Sequence, residues 1–144
     1  MLKVKIAGKD VEVKFDFKAF FKANKELSQN GGQDGAAQLW LQFVTGDVMA
    51  PYNALCILLP KSYKDDQVKD ALDDYMDAGK YDEFVDDLTA ELKASGFFHK
   101  AAQNMVDQID KYGQTNPTKD QTAAEKKRTE AVADMLAAMK KSLS

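Results

Sequence analysis

The chain has few of the residues on which covalent and metal chemistry usually depend. Its 144 residues include one cysteine, Cys56, and one histidine, His99. A single cysteine cannot form an internal disulfide, and this pair cannot complete a zinc site. Because Cys56 lies within an apolar run, where a thiolate is disfavoured, we interpret it as a core side chain and His99 as a structural histidine. The sequence therefore predicts no catalytic residue, no metal and no cofactor.

The chain also lacks a long hydrophobic run and an excess of basic residues. Its longest apolar run, residues 48–59, is too short to span a membrane as a helix and contains Pro51. No charged segment followed by an apolar segment opens the sequence, so nothing indicates secretion. The net charge of −3 argues against nucleic-acid binding, because neutralising phosphates requires a basic surface. We expect a cytoplasmic protein of one domain, with no membrane and no nucleic-acid partner.

Three consecutive amphipathic helical patterns fill residues 65–112. Gly79 ends the first, and Gly96 is expected to end the second as a residue in the left-handed conformation. Short connections favour antiparallel packing, so we expect Phe97 and Phe98 in the seam between the helices. The apolar positions recur at helical spacing, at Val68, Ala71, Leu72, Tyr75 and Met76, then Tyr81, Phe84, Val85, Leu88 and Leu92, then Phe98, Ala101, Ala102, Met105, Ile109 and Tyr112.

The opposite face of these helices is strongly acidic. Residues 65–91 contain eleven carboxylates and two lysines, a net charge of −9, so the rest of the chain carries +6. A calcium loop with Gly79 at its sixth position would place Met76 and Val85 where oxygen ligands are required, so the EF-hand template fails. We interpret the carboxylates as a solvated face.

The N-terminal half combines a hairpin with helices. Apolar and charged residues alternate over residues 2–15, which predicts a β-hairpin with its turn at residues 8–10. Its apolar face must lie on helices or on the sheet of another chain, because two strands alone are marginally stable. Asp16 and Asp34 are expected to cap the first two helices, and Gly46 to end the second. A third, buried helix follows, with Pro51 in its first turn. Trp40 and the pairs Phe20/Phe21 and Phe97/Phe98 are expected in the core.

The sequence of the C-terminal region predicts a linker followed by a final helix. Residues 113–120 have linker composition, and residues 121–144 return to an amphipathic helical pattern. This helix could fold back on the body, pair with a second copy or bind a partner. We therefore predict a mainly α (α+β) fold, with a hairpin and helical body over residues 1–112 and about six or seven helices in all. The candidate partner-binding residues are Val132, Met135, Leu136, Met139 and Leu143.

The order of these parts resembles the tail assembly chaperones of siphoviruses that infect Gram-positive bacteria. The resemblance rests on the Lys-rich hairpin with Gly8-Lys9, the apolar helix ending at Leu59-Pro60, the acidic helices, and the junction Ser95, Gly96, Phe97, Phe98 before a basic residue. It covers residues 1–111. It implies a non-enzymatic protein of the host bacterial cytoplasm, absent from the mature virion, that binds the tape measure protein and recruits the tail tube (major tail) protein.

Two other interpretations remain open at the level of sequence. The chain could be a small acidic cytosolic adaptor or regulator that self-associates through its C-terminal helix. An enzyme using paired carboxylates and a divalent metal is a third reading, although no carboxylate is marked as buried with a raised pKa. The adaptor hypothesis requires a dimer and the enzyme hypothesis requires a metal, whereas the chaperone hypothesis requires neither.

Overall fold

The computed structural model describes residues 2–28, 34–112 and 123–143. Within these residues an antiparallel β-hairpin precedes seven α-helices, which confirms the predicted mainly α (α+β) fold. No helix in the described part of the chain is long and apolar enough to cross a membrane. The elements are β1 (Leu2–Ile6), β2 (Lys9–Val13), α1 (Phe17–Glu26), α2 (Gly35–Thr45), α3 (Ala50–Leu58), α4 (Asp65–Asp77), α5 (Tyr81–Ala94), α6 (Gly96–Tyr112) and α7 (Ala123–Leu143).

The hairpin turns one residue earlier than the sequence suggests. Ile6 pairs with Lys9, which leaves Ala7 and Gly8 as a two-residue turn with φ values of 51° and 75°. Such turns need positive φ at both positions, and Asn-Gly is their usual signal. Alanine in the first position hides that signal, so the expected turn at residues 8–10 is wrong. Val4 and Ile6 are buried against α4 and α5, as expected for a hairpin that lies on helices.

The starts of α1 and α2 are capped in different ways. The Asp16 carboxylate accepts a hydrogen bond from the Ala19 amide at 3.0 Å, so the predicted cap of α1 is confirmed. Asp34 occupies the N-cap position of α2, as predicted, but its side chain makes no capping hydrogen bond and instead accepts one from the side-chain amide of Gln38 at 3.1 Å. The first amides of α2 are satisfied by α1 and the residues directly after it: Gly35 N–H donates to the Ser28 hydroxyl (3.0 Å) and Ala36 N–H to Asn24 Oδ1 (2.9 Å).

Two of the three glycines that were expected to end helices do so. Gly46 and Gly79 have φ values of 73° and 70° and follow α2 and α4 in the left-handed conformation, as predicted. After Gly79, the Lys80 amide donates to the Tyr75 carbonyl at 2.9 Å and closes the last turn of α4. Gly96 is different, because it is the first residue of α6 and has no positive φ. The expected left-handed role of Gly96 is therefore wrong.

The predicted buried helix α3 contacts α1, α2, α4 and α5, and α2 likewise contacts four helices, α1, α3, α6 and α7, so the two helices share the centre of the fold. Leu55 of α3 is fully buried, and so is Trp40 of α2, as predicted. The terminal helix α7 packs on α2 and α6, and the Trp40 indole N–H donates to the Ser142 hydroxyl at 2.8 Å. The predicted linker at residues 113–120 lies outside the described residues. The division of the chain into body, linker and terminal helix stays a prediction.

Candidate functional surfaces

The junction of residues 95–98 joins the end of the hairpin to the start of α6. Ser95 is almost fully buried, and its hydroxyl donates to the Phe15 carbonyl at 2.8 Å across eighty residues of sequence. The same oxygen lies 3.5 Å from the Phe98 amide, at the first turn of α6. A hydroxyl can donate and accept at once, so Ser95 links two elements. This geometry makes the junction a structural feature.

The two phenylalanines of the junction have opposite environments. Phe98 is 0% exposed, with its ring edge-on to Phe15 at a centroid distance of 5.1 Å. Phe97 is 48% exposed. Successive residues on an α-helix point about 100° apart, so both rings cannot face one seam. The expectation that both lie in the seam is correct for Phe98 and wrong for Phe97.

Phe97 belongs to a group of four neighbouring rings, of which three are exposed and Phe20 is partly buried. We call Phe17, Phe20, Phe21 and Phe97 the aromatic surface. Phe21 is 61% exposed and Phe17 is also exposed, whereas the buried residues of α1 are the small Ala19 and Ala23. The Phe97 ring lies 5.2 Å from Phe17 and 5.8 Å from Phe20, measured between centroids. The expected burial of the pair Phe20/Phe21 is therefore wrong for Phe21.

A second exposed apolar surface lies between the turn before α3 and the helices α4 and α5. Val48, Met49 and Met76 are its exposed apolar residues, with Val48 81% and Met76 58% exposed. With Tyr52, Leu72 and Tyr81 they line a groove of about 520 Å³, which we call the methionine groove. Met76 was expected on the buried stripe of α4, but the stripe centres on Val68 and Ala71, and Met76 falls at its edge.

A comparison with family models identifies the family of the chain, and the match covers the hairpin and the helices that carry both exposed surfaces. A family model described as "Phage tail assembly chaperone protein, TAC" matches residues 3–109. The chain belongs to this family. No curated protein and no solved structure shows significant similarity to it. The matched residues contain the whole aromatic surface and the whole methionine groove, whereas α7 lies beyond them.

The predicted partner-binding residues of this chaperone lie on α7. Met139 is 1% exposed and faces the core, and Leu136 and Leu143 pack partly buried against it. Met135 is exposed. Val132 lies on the same helix, but its side chain is outside the described part of the chain. In this conformation the set mainly closes the protein's own core, and its role in partner binding stays a prediction.

His99 of the chaperone lies under α7. Its ring is edge-on to Trp40 at a centroid distance of 5.8 Å, and Nε2 lies 3.4 Å from the Leu143 carbonyl oxygen. These contacts place His99 between α2, α6 and α7, which matches its interpretation as a structural histidine.

The acidic residues of α4 and α5 are mostly exposed to solvent. Asp65 forms an ion pair with Lys69 at 2.7 Å and accepts a hydrogen bond from the Tyr52 hydroxyl. The bonds from Lys69 and then Tyr52 hold the pKa of Asp65 below its usual range, and the carboxylate raises the pKa of Tyr52. Among the described residues no group of three or more His, Cys, Asp or Glu side chains could hold a metal ion.

The one cysteine of the chaperone gives a direct test of its burial. Cys56 is half-buried on α3, and removal from water raises the pKa of its thiol because burial disfavours the thiolate. We expect the native protein to react with iodoacetamide at pH 8 about tenfold more slowly than a free thiol, and at the free-thiol rate once unfolded in urea. Mass spectrometry of timed samples measures both rates. Equal rates in the native and unfolded states would contradict this environment.

Proposed function

We propose that the protein acts without catalysis as a chaperone for phage tail assembly, binding the tape measure protein and recruiting tail tube subunits. It would do so in the cytoplasm of the bacterial host and leave before the virion matures. Family membership supports the general role. The observation that carries the binding proposal is the methionine groove, a large apolar surface left exposed on the body of the protein. The adaptor hypothesis has less support, because it needs the α7 face that Met139 directs inward.

The groove has the properties expected of a surface that accepts many similar segments. Met49 and Met76 have unbranched, polarisable side chains that adapt to partners of different shape. The groove is open to solvent, and its volume of about 520 Å³ suits the apolar stripe of an amphipathic helix. A long helical partner with repeated stripes would bind several copies of the chaperone, and weak individual contacts would then sum to stable coverage.

The acidic residues around the groove contribute a second property. The groove is lined by one carboxylate, Asp73, and one lysine, Lys69, and α4 and most of α5, which border it, lie within the stretch of net charge −9. Exposed like charges keep protein surfaces apart and soluble. A partner covered by this protein would therefore present carboxylates to solvent in place of its apolar stripes. The charge also favours stripes that are flanked by Lys or Arg.

Co-expression with the tape measure protein of the same phage tests the proposal. The full chain is tagged, and retention of the tape measure protein is compared for the wild type, Met76→Ser and Met135→Ser. Both methionines are exposed, so neither change should unfold the protein. We expect Met76→Ser to lower retention about tenfold, in the range of a binding hot spot.

The second variant separates the groove from α7. If Met135→Ser lowers retention and Met76→Ser does not, binding belongs to α7, as the sequence analysis predicted for Val132, Met135, Leu136, Met139 and Leu143. If the wild type retains no tape measure protein, the proposed partner is wrong. A parallel co-purification with the tail tube protein tests recruitment, and loss of both partners would overturn the proposed function.

A further inference from the structure

The aromatic surface is bordered by lysines. On α1, Phe21 lies one helical turn from both Lys18 and Lys25, and on α6 Phe97 lies one turn from Lys100. All three lysines are exposed, and neither α1 nor α6 has an acidic residue in its first turn. The aromatic surface is therefore apolar at its centre and positively charged at its edge.

Two carboxylates lie on the same stretch of chain, Asp16 directly before α1, where its side chain accepts a hydrogen bond from the Ala19 amide, and the exposed Glu26 at the end of α1. The three lysines outnumber these two carboxylates, so the net charge beside the rings stays positive. The methionine groove has the opposite surroundings, because it lies within the acidic region formed by α4 and α5. One chain thus exposes two apolar surfaces with different signs of charge around them. Charge complementarity discriminates between partners, so the two surfaces select different ligands.

We propose that the aromatic surface binds an acidic amphipathic helix of a partner protein. Phe17 and Phe21 are one turn apart on α1, and Phe97 lies beside Phe17 on α6. The three rings therefore form a patch that spans two neighbouring helices, and a partner helix with apolar residues one turn apart meets it along one stripe. Asp or Glu residues beside that stripe face the lysine edge.

The rings and the lysines have separate parts in this recognition. Exposed phenylalanines supply apolar area that is buried only on binding, and large aromatic side chains are typical anchors of interfaces. The lysines supply attraction that depends on ionic strength and rejects basic helices. The inference goes beyond the proposed function, because it concerns a second surface and does not depend on what occupies the methionine groove.

Designed peptides test the proposal with the full-length protein. The probe is a fluorescein-labelled helical peptide of about 20 residues, with Leu one turn apart and Glu on the flanks, read by fluorescence anisotropy. A matched peptide replaces every Glu with Lys. We expect the acidic peptide to bind at least about tenfold more tightly than the basic one, with an affinity that falls as salt is added.

Variants locate the binding. Phe21→Ser and Phe97→Ser are each expected to weaken binding of the acidic peptide about tenfold. The double change Lys18→Glu with Lys25→Glu is expected to weaken binding and to reduce its dependence on salt concentration. Met76→Ser is the matched control, an equally exposed apolar residue in the acidic region, and should leave binding unchanged. Circular dichroism spectra of all variants at the temperature of the binding experiment should match the wild type, because the changed residues are exposed.

Three outcomes would overturn the proposal. Equal binding of the acidic and basic peptides would show that the lysines do not discriminate between acidic and basic partners. Equal loss in Met76→Ser and Phe97→Ser would show that the peptide does not recognise the aromatic surface. Self-association that disappears in Phe21→Ser and Phe97→Ser, without any peptide binding, would assign the surface to a second copy of the chain. None of these results bears on retention of the tape measure protein, so this inference and the proposed function can fail separately.

Discussion

Replacing Phe98 with alanine is expected to lower the free energy of unfolding by about 3–5 kcal/mol, the usual cost of truncating a fully buried phenylalanine. The side chain is 0% exposed and packs edge-on against Phe15 and Phe20. Its removal leaves a cavity where the hairpin end, α1 and α6 meet. Urea denaturation followed by circular dichroism gives the change directly.

Phe97→Ala is the matched control for that prediction. It removes the same atoms from the neighbouring residue, but the ring is half exposed, so we expect a loss below about 1 kcal/mol. A similar cost for both variants would mean that the two rings are buried alike. A larger cost for Phe97 than for Phe98 would contradict the orientation of α6.

Gly35→Ala is expected to destabilise the protein by about 2–3 kcal/mol or to prevent folding, because the methyl group meets backbone that cannot move aside. A Cβ at Gly35 would lie 1.8 Å from the Ala23 carbonyl oxygen and 2.9 Å from the Ser28 amide nitrogen. The same approach lets the end of α1 cap α2 through Ser28 and Asn24, so separating the helices also weakens those bonds. Thermal unfolding measured by circular dichroism tests this.

Gly96→Ala provides the control for the glycine prediction. Gly96 is in a helix without positive φ, and a Cβ there would meet nothing within 4 Å. We expect stability to stay equal or to rise by up to about 0.5 kcal/mol, because alanine loses less backbone entropy than glycine on folding. A stable Gly35→Ala variant with an unchanged melting temperature would show that α1 and α2 do not approach closely.

The features that were predicted correctly depend on residues that are close together in the sequence. The Asp16 cap bonds to an amide three residues away, and Gly46 and Gly79 end helices through their own left-handed conformation. The alternation in the hairpin likewise fixes which face is buried. The side-chain cap of α2 could not be predicted in the same way. The residue that supplies it, Asn24, bonds to an amide twelve residues away, and this bond depends on how α1 and α2 pack.

The exposed surfaces were harder to predict because helical spacing alone does not say how wide the buried face is. Phe17, Phe20 and Phe21 lie at helical spacing from one another, yet the buried residues of α1 are the small Ala19 and Ala23, and Phe17 and Phe21 remain exposed. The methionine groove combines residues from the segments 48–52, 69–76 and 81, which only tertiary packing brings together. For the pair Phe97/Phe98, helix geometry requires that one ring turn outward, but it does not say which.

Hydrogen–deuterium exchange on the full-length protein, alone and bound to the tape measure protein, tests the central claim most directly. The claim is that the body binds its partner through the methionine groove. Binding is expected to slow amide exchange in residues 48–52 and 69–81, the two segments that contain the residues lining the groove. Slower exchange confined to α7, or a stable complex with no slowing at the groove, would contradict the claim.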